Sequence, residues 1–160
     1  MKILVMSDTH IPKAAQDLPP QVYEAIKDVD MIFHAGDFAD KEIFEKLAGL
    51  KETKAVCGNM DSLGLRSMLN DKEVVRVGKF RIGLIHGHGA PSELLDTVRN
   101  EFGKVDAIIF GHSHRPLNIV RDGVLFFNPG SPTDKVFAEY NSYGILEITD
   151  TKIEGRIIKL

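Results

Sequence analysis

Five short apolar runs in this 160-residue chain each end in a residue able to bind a metal ion. Lys2-Ile3-Leu4-Val5-Met6 leads to Asp8-Thr9-His10, and Met31-Ile32-Phe33 leads to Gly36-Asp37. Thr53 to Cys57 leads to Gly58-Asn59-Met60-Asp61, Arg81 to Ile85 leads to His86-Gly87-His88, and Ala107 to Phe110 leads to Gly111-His112-Ser113-His114. Strand ends in an α/β sheet gather along one edge, and ligands bind along that edge. Carboxylates, imidazoles and an amide delivered there together describe a metal site. The motifs contain no thiolate, and this donor mixture suits Mn, Fe, Zn or Ni rather than soft-metal or cluster chemistry. Asp8 and His10 are two residues apart, as are His112 and His114. In extended backbone such pairs point the same way, so each pair can aim two donors into one pocket. The glycines before Asp37, Asn59, His88 and His112 let the backbone turn tightly there.

These runs must be positioned by a framework, and the first half of the chain supplies one of alternating strands and helices. Pro19-Pro20 opens a helix with Val22, Tyr23, Ile26 and Val29 on its apolar face. Asp40 is the expected N-cap of a second helix, with Ile43, Phe44, Leu47 and Leu50 facing inward. Pro91-Ser92 opens a third, carrying Leu94, Leu95, Val98 and Phe102. Strands alternating with helices imply parallel βαβ units. The last third changes character. Leu117 to Val120 and Val124 to Phe127 flank Arg121-Asp122-Gly123, a hairpin signal. Val136 to Tyr140, Gly144 to Thr149 and Lys152 to Lys159 read as further antiparallel strands. The expected fold is therefore α/β: two mixed sheets packed as an αββα sandwich, with the metal site at the C-terminal ends of the strands. The hairpin leaves that edge after His114 and returns at Phe127, which brings Asn128-Pro129-Gly130 close to it.

Composition narrows the function classes. Residues 1–160 are expected to form one domain, long enough for a substantial core. Hydrophobic residues make up 43% and charged residues 27%, and the net charge is −3. This balance argues against a general nucleic-acid or membrane-surface binder. One cysteine, Cys57, excludes an intrachain disulfide and fits a reducing cytoplasm. The first apolar run is too short for a signal peptide, and no run approaches a membrane span. The expected location is the cytoplasm.

The order and spelling of the motifs resemble the calcineurin-like metallophosphoesterase superfamily, whose signature reads D-x-H, G-D, G-N-x-D/E, His and G-H-x-H. The short chain and Asn128-Pro129-Gly130-Ser131 resemble its small YfcE-type phosphodiesterase branch. The resemblance implies two divalent ions per chain, manganese first, with nickel, iron and zinc as alternatives. It assigns Asp8, His10, Asp37 and His114 to the first ion. Asp37 would bridge to the second, completed by Asn59, His86 and His112. The implied reaction is attack of metal-bound hydroxide on a small phosphodiester, with a phosphomonoesterase as the alternative. A second alternative is a non-catalytic scaffold like the retromer subunit that shares this fold.

Other residues keep open readings. Asp61 either orients the site, assists proton transfer or caps the following turn. His88 is a supporting residue or a phosphate contact. His34, inside the strand that delivers Asp37, favours a packed or supporting role. Arg115 is either a substrate contact or a solvated surface residue. Leu63, Leu65, Met68 and Leu69 read as packing, as an apolar lid or as a homo-oligomer contact. Many phosphatases of the superfamily carry a general-acid His where this chain has Met60, and a thioether cannot donate a proton. The expected partner is a small phosphoester.

Overall fold

The computed structural model describes residues 1–160. The first half builds β1 (Lys2–Met6), α1 (Pro20–Lys27), β2 (Met31–His34), α2 (Lys41–Leu50), β3 (Thr53–Ala55) and α3 (Leu63–Met68). Then come β4 (Lys72–Val77), β5 (Phe80–Ile85), α4 (Leu94–Asn100), β6 (Ala107–Ile109), β7 (Leu117–Arg121), β8 (Val124–Asn128), β9 (Ser142–Ile148) and β10 (Ile153–Lys159). The strands form two five-stranded sheets, ordered β10-β9-β1-β2-β3 and β4-β5-β6-β8-β7. Parallel pairing runs through β1-β2-β3 and through β5-β6-β8, while β4, β7, β9 and β10 add antiparallel partners.

Strand periodicity explains the layering. In β1, Ile3 and Val5 enter the core between the sheets, while Leu4 and Met6 face the helices outside. β6 divides the same way, with Ala107 and Ile109 inward and Ile108 outward. Val22 and Ile26 of α1 and Ile43 and Leu47 of α2 cover the first sheet, and Leu94 and Val98 of α4 cover the second. Each fully buried aliphatic side chain of this kind contributes about 1.5–3 kcal/mol. The αββα sandwich expected from the sequence is the fold observed. Between the sheets the Phe127 ring takes the space that side chains on Gly144 and Gly155 would fill. A Cβ on Gly155 would lie 2.5 Å from Phe127 Cδ2.

Two local expectations need correction, and one strand was not expected. Val136 to Tyr140 is not a strand. The Asp134 carboxylate accepts hydrogen bonds from the N–H groups of Val136, Phe137 and Ala138, which rolls the chain into a turn. β4 gives little strand signal in the sequence because it is a charged edge strand, KEVVRV, with Val75 and Val77 as its buried positions. Leu50 ends α2 exposed rather than facing inward. No helix is long and apolar enough to cross a membrane.

Candidate metal centre

The loops that follow β1, β2 and β3 meet those that follow β5 and β6 at one rim of the sandwich. Asp8 is fully buried, and its Oδ2 accepts from the Ser7 hydroxyl (2.7 Å) and from His112 N–H (3.1 Å). Its Oδ1 has no hydrogen-bond partner. That oxygen lies 3.3 Å from His114 Nε2, 3.8 Å from His86 Nε2 and 3.9 Å from His10 Nε2. Asp37 is arranged alike. Its Oδ1 accepts from Met60 N–H (2.7 Å), and its Oδ2 lies 3.3 Å from His86 Nε2 and 3.7 Å from His10 Nε2. His10 Nε2 and His114 Nε2 are 3.3 Å apart.

Tautomers follow from the outer contacts, because a carbonyl oxygen can only accept. His86 Nδ1–H donates to Ala35 O (2.8 Å), which leaves the Nε2 lone pair facing the two carboxylates. His112 Nε2–H donates to Gly89 O (3.1 Å), which leaves Nδ1 beside Asn59 Oδ1 at 3.3 Å. His114 Nδ1 is 2.6 Å from Asp134 Oδ2, a carboxylate–imidazole pair of the kind that orients metal-binding histidines. Lone pairs thus face lone pairs in a buried space, a costly arrangement without a positive charge among them. In the absence of an ion, protons supply that charge. Burial opposes protonation of His86, but Asp37 and Asp8 overcome it and raise its pKa to about 9. His114 likewise rises to about 9 against burial, through Asp8 and Asp134. His10 goes the other way, because its desolvation outweighs the pull of Asp37 and Asp8.

Two groups of side chains bring their donor atoms within 4.8 Å of one another: Asp8, His10 and His114, and Asp8, Asp37 and His86. Asp8 belongs to both, and Asp37 Oδ2 lies between His10 and His86. Asn59 and His112 flank the second group, with the His86 and His112 rings edge to face at 5.3 Å. The buried oxygen of Asp8 and the ring nitrogen of His86, both without partners, fit divalent cations. All seven expected ligand residues come together at this rim.

The backbone that converges them is not the extended one expected. Asp8, His10, Asp37, His112 and His114 all have positive φ, between 45° and 69°. Each costs on the order of 1–3 kcal/mol in intrinsic strain, which the surrounding hydrogen bonds must hold in place. The glycines at 58 and 111 do not have positive φ. They are required by close approach: a Cβ on Gly111 would sit 2.7 Å from Asp8 Oδ2, and one on Gly58 would sit 2.5 Å from Asp37 N.

The remaining candidates separate. Asp61 is buried, and its carboxylate is occupied by three backbone donors: Gly58 N–H (2.7 Å), Ala39 N–H (2.8 Å) and Asp37 N–H (3.1 Å). Burial raises its pKa although these donors oppose the shift. It ties the Asp37 loop to the Asn59 loop. His88 is exposed and lines a cleft of about 510 Å³ with Asn59, Arg66, Lys72 and Glu101, beside the ligand cluster. His34 is fully buried, 3.2 Å from Thr9 Oγ1 and stacked on Phe38 at 3.5 Å; burial holds its pKa well below the usual value. Leu65 is buried, whereas Leu63 is 86% exposed. A second cleft, of about 580 Å³, opens over the candidate ligands and is lined by Lys13, Met60, Arg115, Asp134 and Phe137 among others. Sequence reasoning missed Asp134, which stands in no motif and lies 20 residues from the histidine it holds. The only signal was its closeness to Asn128-Pro129-Gly130, already placed near this edge. Arg66 was also missed; it donates to Asn59 O (2.7 Å) and braces that loop.

Comparison with known proteins agrees with this architecture. Residues 1–151 match the calcineurin-like phosphoesterase superfamily domain. The chain is 36% identical over 163 aligned residues to a probable metallophosphoesterase of Methanothermobacter thermautotrophicus, covering 99% of this chain and 92% of that one. Among solved structures, a Thermotoga maritima protein superposes with a TM-score of 0.78 at 32% identity, covering 99% of both chains. Wild-type Vps29 of Entamoeba histolytica, solved in complex with Zn2+, superposes with a TM-score of 0.77 at 26% identity, again over 99% of both. With its motifs, its two-sheet fold and its Asp/His cluster in agreement, the chain belongs to the calcineurin-like phosphoesterase superfamily.

Proposed function

We propose that this chain is a dinuclear-metal phosphodiesterase acting on small phosphodiesters. The observation that carries the proposal is the buried Asp8 Oδ1, which has no hydrogen-bond partner and faces three imidazole nitrogens. Asp8, His10, Asp37 and His114 would hold one divalent ion, and Asp37, Asn59, His86 and His112 the other, with manganese expected first. Two such ions would generate a nucleophile from water at neutral pH and neutralise phosphoryl charge during in-line displacement. The chain's own residues do the rest. Ala35 O fixes the His86 ring, Gly89 O the His112 ring and Asp134 the His114 ring. Asp61 and Arg66 hold the Asp37 and Asn59 loops in register. Lys13 and Arg115 line the cleft and add positive charge where an anionic ester would enter.

Preference for diesters is supported by charge and by Met60. Two divalent ions bring four positive charges against the two carboxylates Asp8 and Asp37, so a dianionic monoester or its phosphate product would be held too tightly for fast turnover. Met60 lines the same cleft and cannot protonate a poor leaving group. The scaffold alternative is disfavoured by the intact ligand set, since a purely binding role does not require seven competent donors.

The test is to strip the protein of metal, reconstitute it with each divalent ion separately, and compare bis(p-nitrophenyl) phosphate with p-nitrophenyl phosphate. The expected result is two ions per chain and faster hydrolysis of the diester. Preference for the monoester would move the assignment to phosphomonoesterase. Failure to hold any ion would leave the scaffold reading.

A further inference from the structure

The segment between Ser131 and Ser142 is tied to the ligand cluster by one side chain. Asp134 Oδ2 lies 2.6 Å from His114 Nδ1 and also accepts the N–H groups of Phe137 (3.0 Å) and Ala138 (2.8 Å). Asn141 Nδ2 donates to Ser131 O, and Thr133 Oγ1 donates to Thr9 O, fastening the segment at both ends. The outcome of this bracing is an aromatic ring in an unusual place. Phe137 is 70% exposed, yet it lines the cleft over the ligands and meets the His114 ring edge to face at 5.7 Å. Met60, 46% exposed, lines the same cleft from a different loop. Beyond its contact with His114, most of the Phe137 ring is left in water and buries little for the fold. It gains from a ligand that covers it.

We infer that Phe137 is a specificity-determining residue: it stacks on a planar aromatic group carried by the phosphodiester, so the substrate class is one with an aryl or nucleobase substituent. This rests on the phosphodiesterase reading above. A diester has a second substituent that stays on the phosphorus while the other leaves, and it must lie somewhere in the cleft. The carboxylate that orients His114 also accepts the Phe137 N–H, so one group positions both the histidine and the backbone that carries the ring.

The experiment compares three diesters sharing the p-nitrophenolate leaving group: the methyl, phenyl and thymidine 5′ esters of p-nitrophenyl phosphate. Each is assayed on metal-loaded wild type, Phe137→Tyr, Phe137→Leu and Phe137→Ala. Intrinsic reactivity differs among the esters but cancels when ratios are compared between proteins. The expected result is that the phenyl-to-methyl and thymidine-to-methyl ratios of kcat/KM fall about 5- to 30-fold in Phe137→Ala, mainly through KM, as loss of one stacking contact predicts. Phe137→Tyr should keep the ratios, and Phe137→Leu, apolar but without a ring, should not. A fall for thymidine alone would identify the nucleobase as the ring recognised, and a fall for both would identify any aryl group. Unchanged ratios with good hydrolysis would overturn the role of Phe137 and leave the phosphodiesterase reading standing. If no ester is hydrolysed with any metal, that reading fails and this inference fails with it.

Discussion

The two histidines with raised pKa make a quantitative prediction about metal binding. In the metal-free protein, His86 and His114 both titrate near pH 9, so both carry a proton at pH 7. His10 titrates below its usual value and is already neutral. A cation needs the imidazole lone pair, so an ion held as proposed would displace one proton at each position, from His114 at one and from His86 at the other. At pH 7 a group with a pKa of about 9 is roughly 1% neutral, which lowers apparent affinity ~100-fold at each position. Between pH 6 and 8 the affinity for Mn2+ should therefore rise about tenfold per pH unit at each position. Calorimetric titration in buffers of different ionisation enthalpy counts the protons directly, and the expected count is about one per ion. The same linkage fixes the sign for stability. Because both folded-state pKa values are raised, their stabilisation of the metal-free protein is complete below about pH 6.5 and is lost as pH climbs toward 9. The thermal shift produced by Mn2+ should widen over the same window. Binding that releases no proton, with affinity flat from pH 6 to 8, would refute the picture of protons standing in for the cations.

Three substitutions test the other assignments. Met60→His should flatten the dependence of rate on leaving-group pKa and raise turnover of alkyl diesters, since general-acid assistance is worth ~10²–10⁴-fold; a Brønsted plot across aryl and alkyl diesters reads it. Asp61→Ala leaves three backbone donors without their acceptor and should cost about 3–5 kcal/mol in denaturant unfolding. It should also weaken metal binding while leaving the leaving-group slope unaltered; an altered slope would mean that Asp61 takes part in proton transfer. Gly111→Ala pushes a methyl group against the Asp8 carboxylate and should abolish tight binding of at least one ion, measured by elemental analysis of the purified, folded protein.

The strand ends were readable because apolar runs of three to five residues break abruptly into Asp, His or Asn. The burial pattern of β1, with Ile3 and Val5 on one face and Leu4 and Met6 on the other, needs no tertiary information to anticipate. The hairpin of β7 and β8 was readable from Asp122-Gly123. What failed was local reading of residues whose conformation is set at a distance. Val136 and Phe137 have strong strand propensity, yet Asp134 turns the chain before they can pair, and propensity alone does not register a capping carboxylate. The positive φ of five candidate ligands was invisible for a related reason. Asp and His tolerate that region better than most residues, but only hydrogen bonds such as Asp8 N–H to Gly36 O (3.0 Å) and His10 N–H to Asp37 O (3.0 Å) impose it. Asp134 itself could not be singled out, because its partner is remote in the chain.

The insertion of Phe127 above Gly144 and Gly155 reaches beyond the core. Asp8, His10, Asp37 and Asn59 ride on one sheet, while His86, His112 and His114 ride on the other. Each candidate ion position draws donors from both slabs, so any sliding of one slab against the other would pull those donors apart. The Phe127 ring, seated in a notch that two missing side chains leave open, acts as a locating pin between them. The neighbouring residue on that strand, Asn128, ties it to the rim of its own sheet by donating to Gly111 O at 2.9 Å. Filling the notch or shortening the pin would mis-set the donor spacing without touching a candidate ligand, and under the proposed function the fault would appear as lost turnover in a protein that still folds.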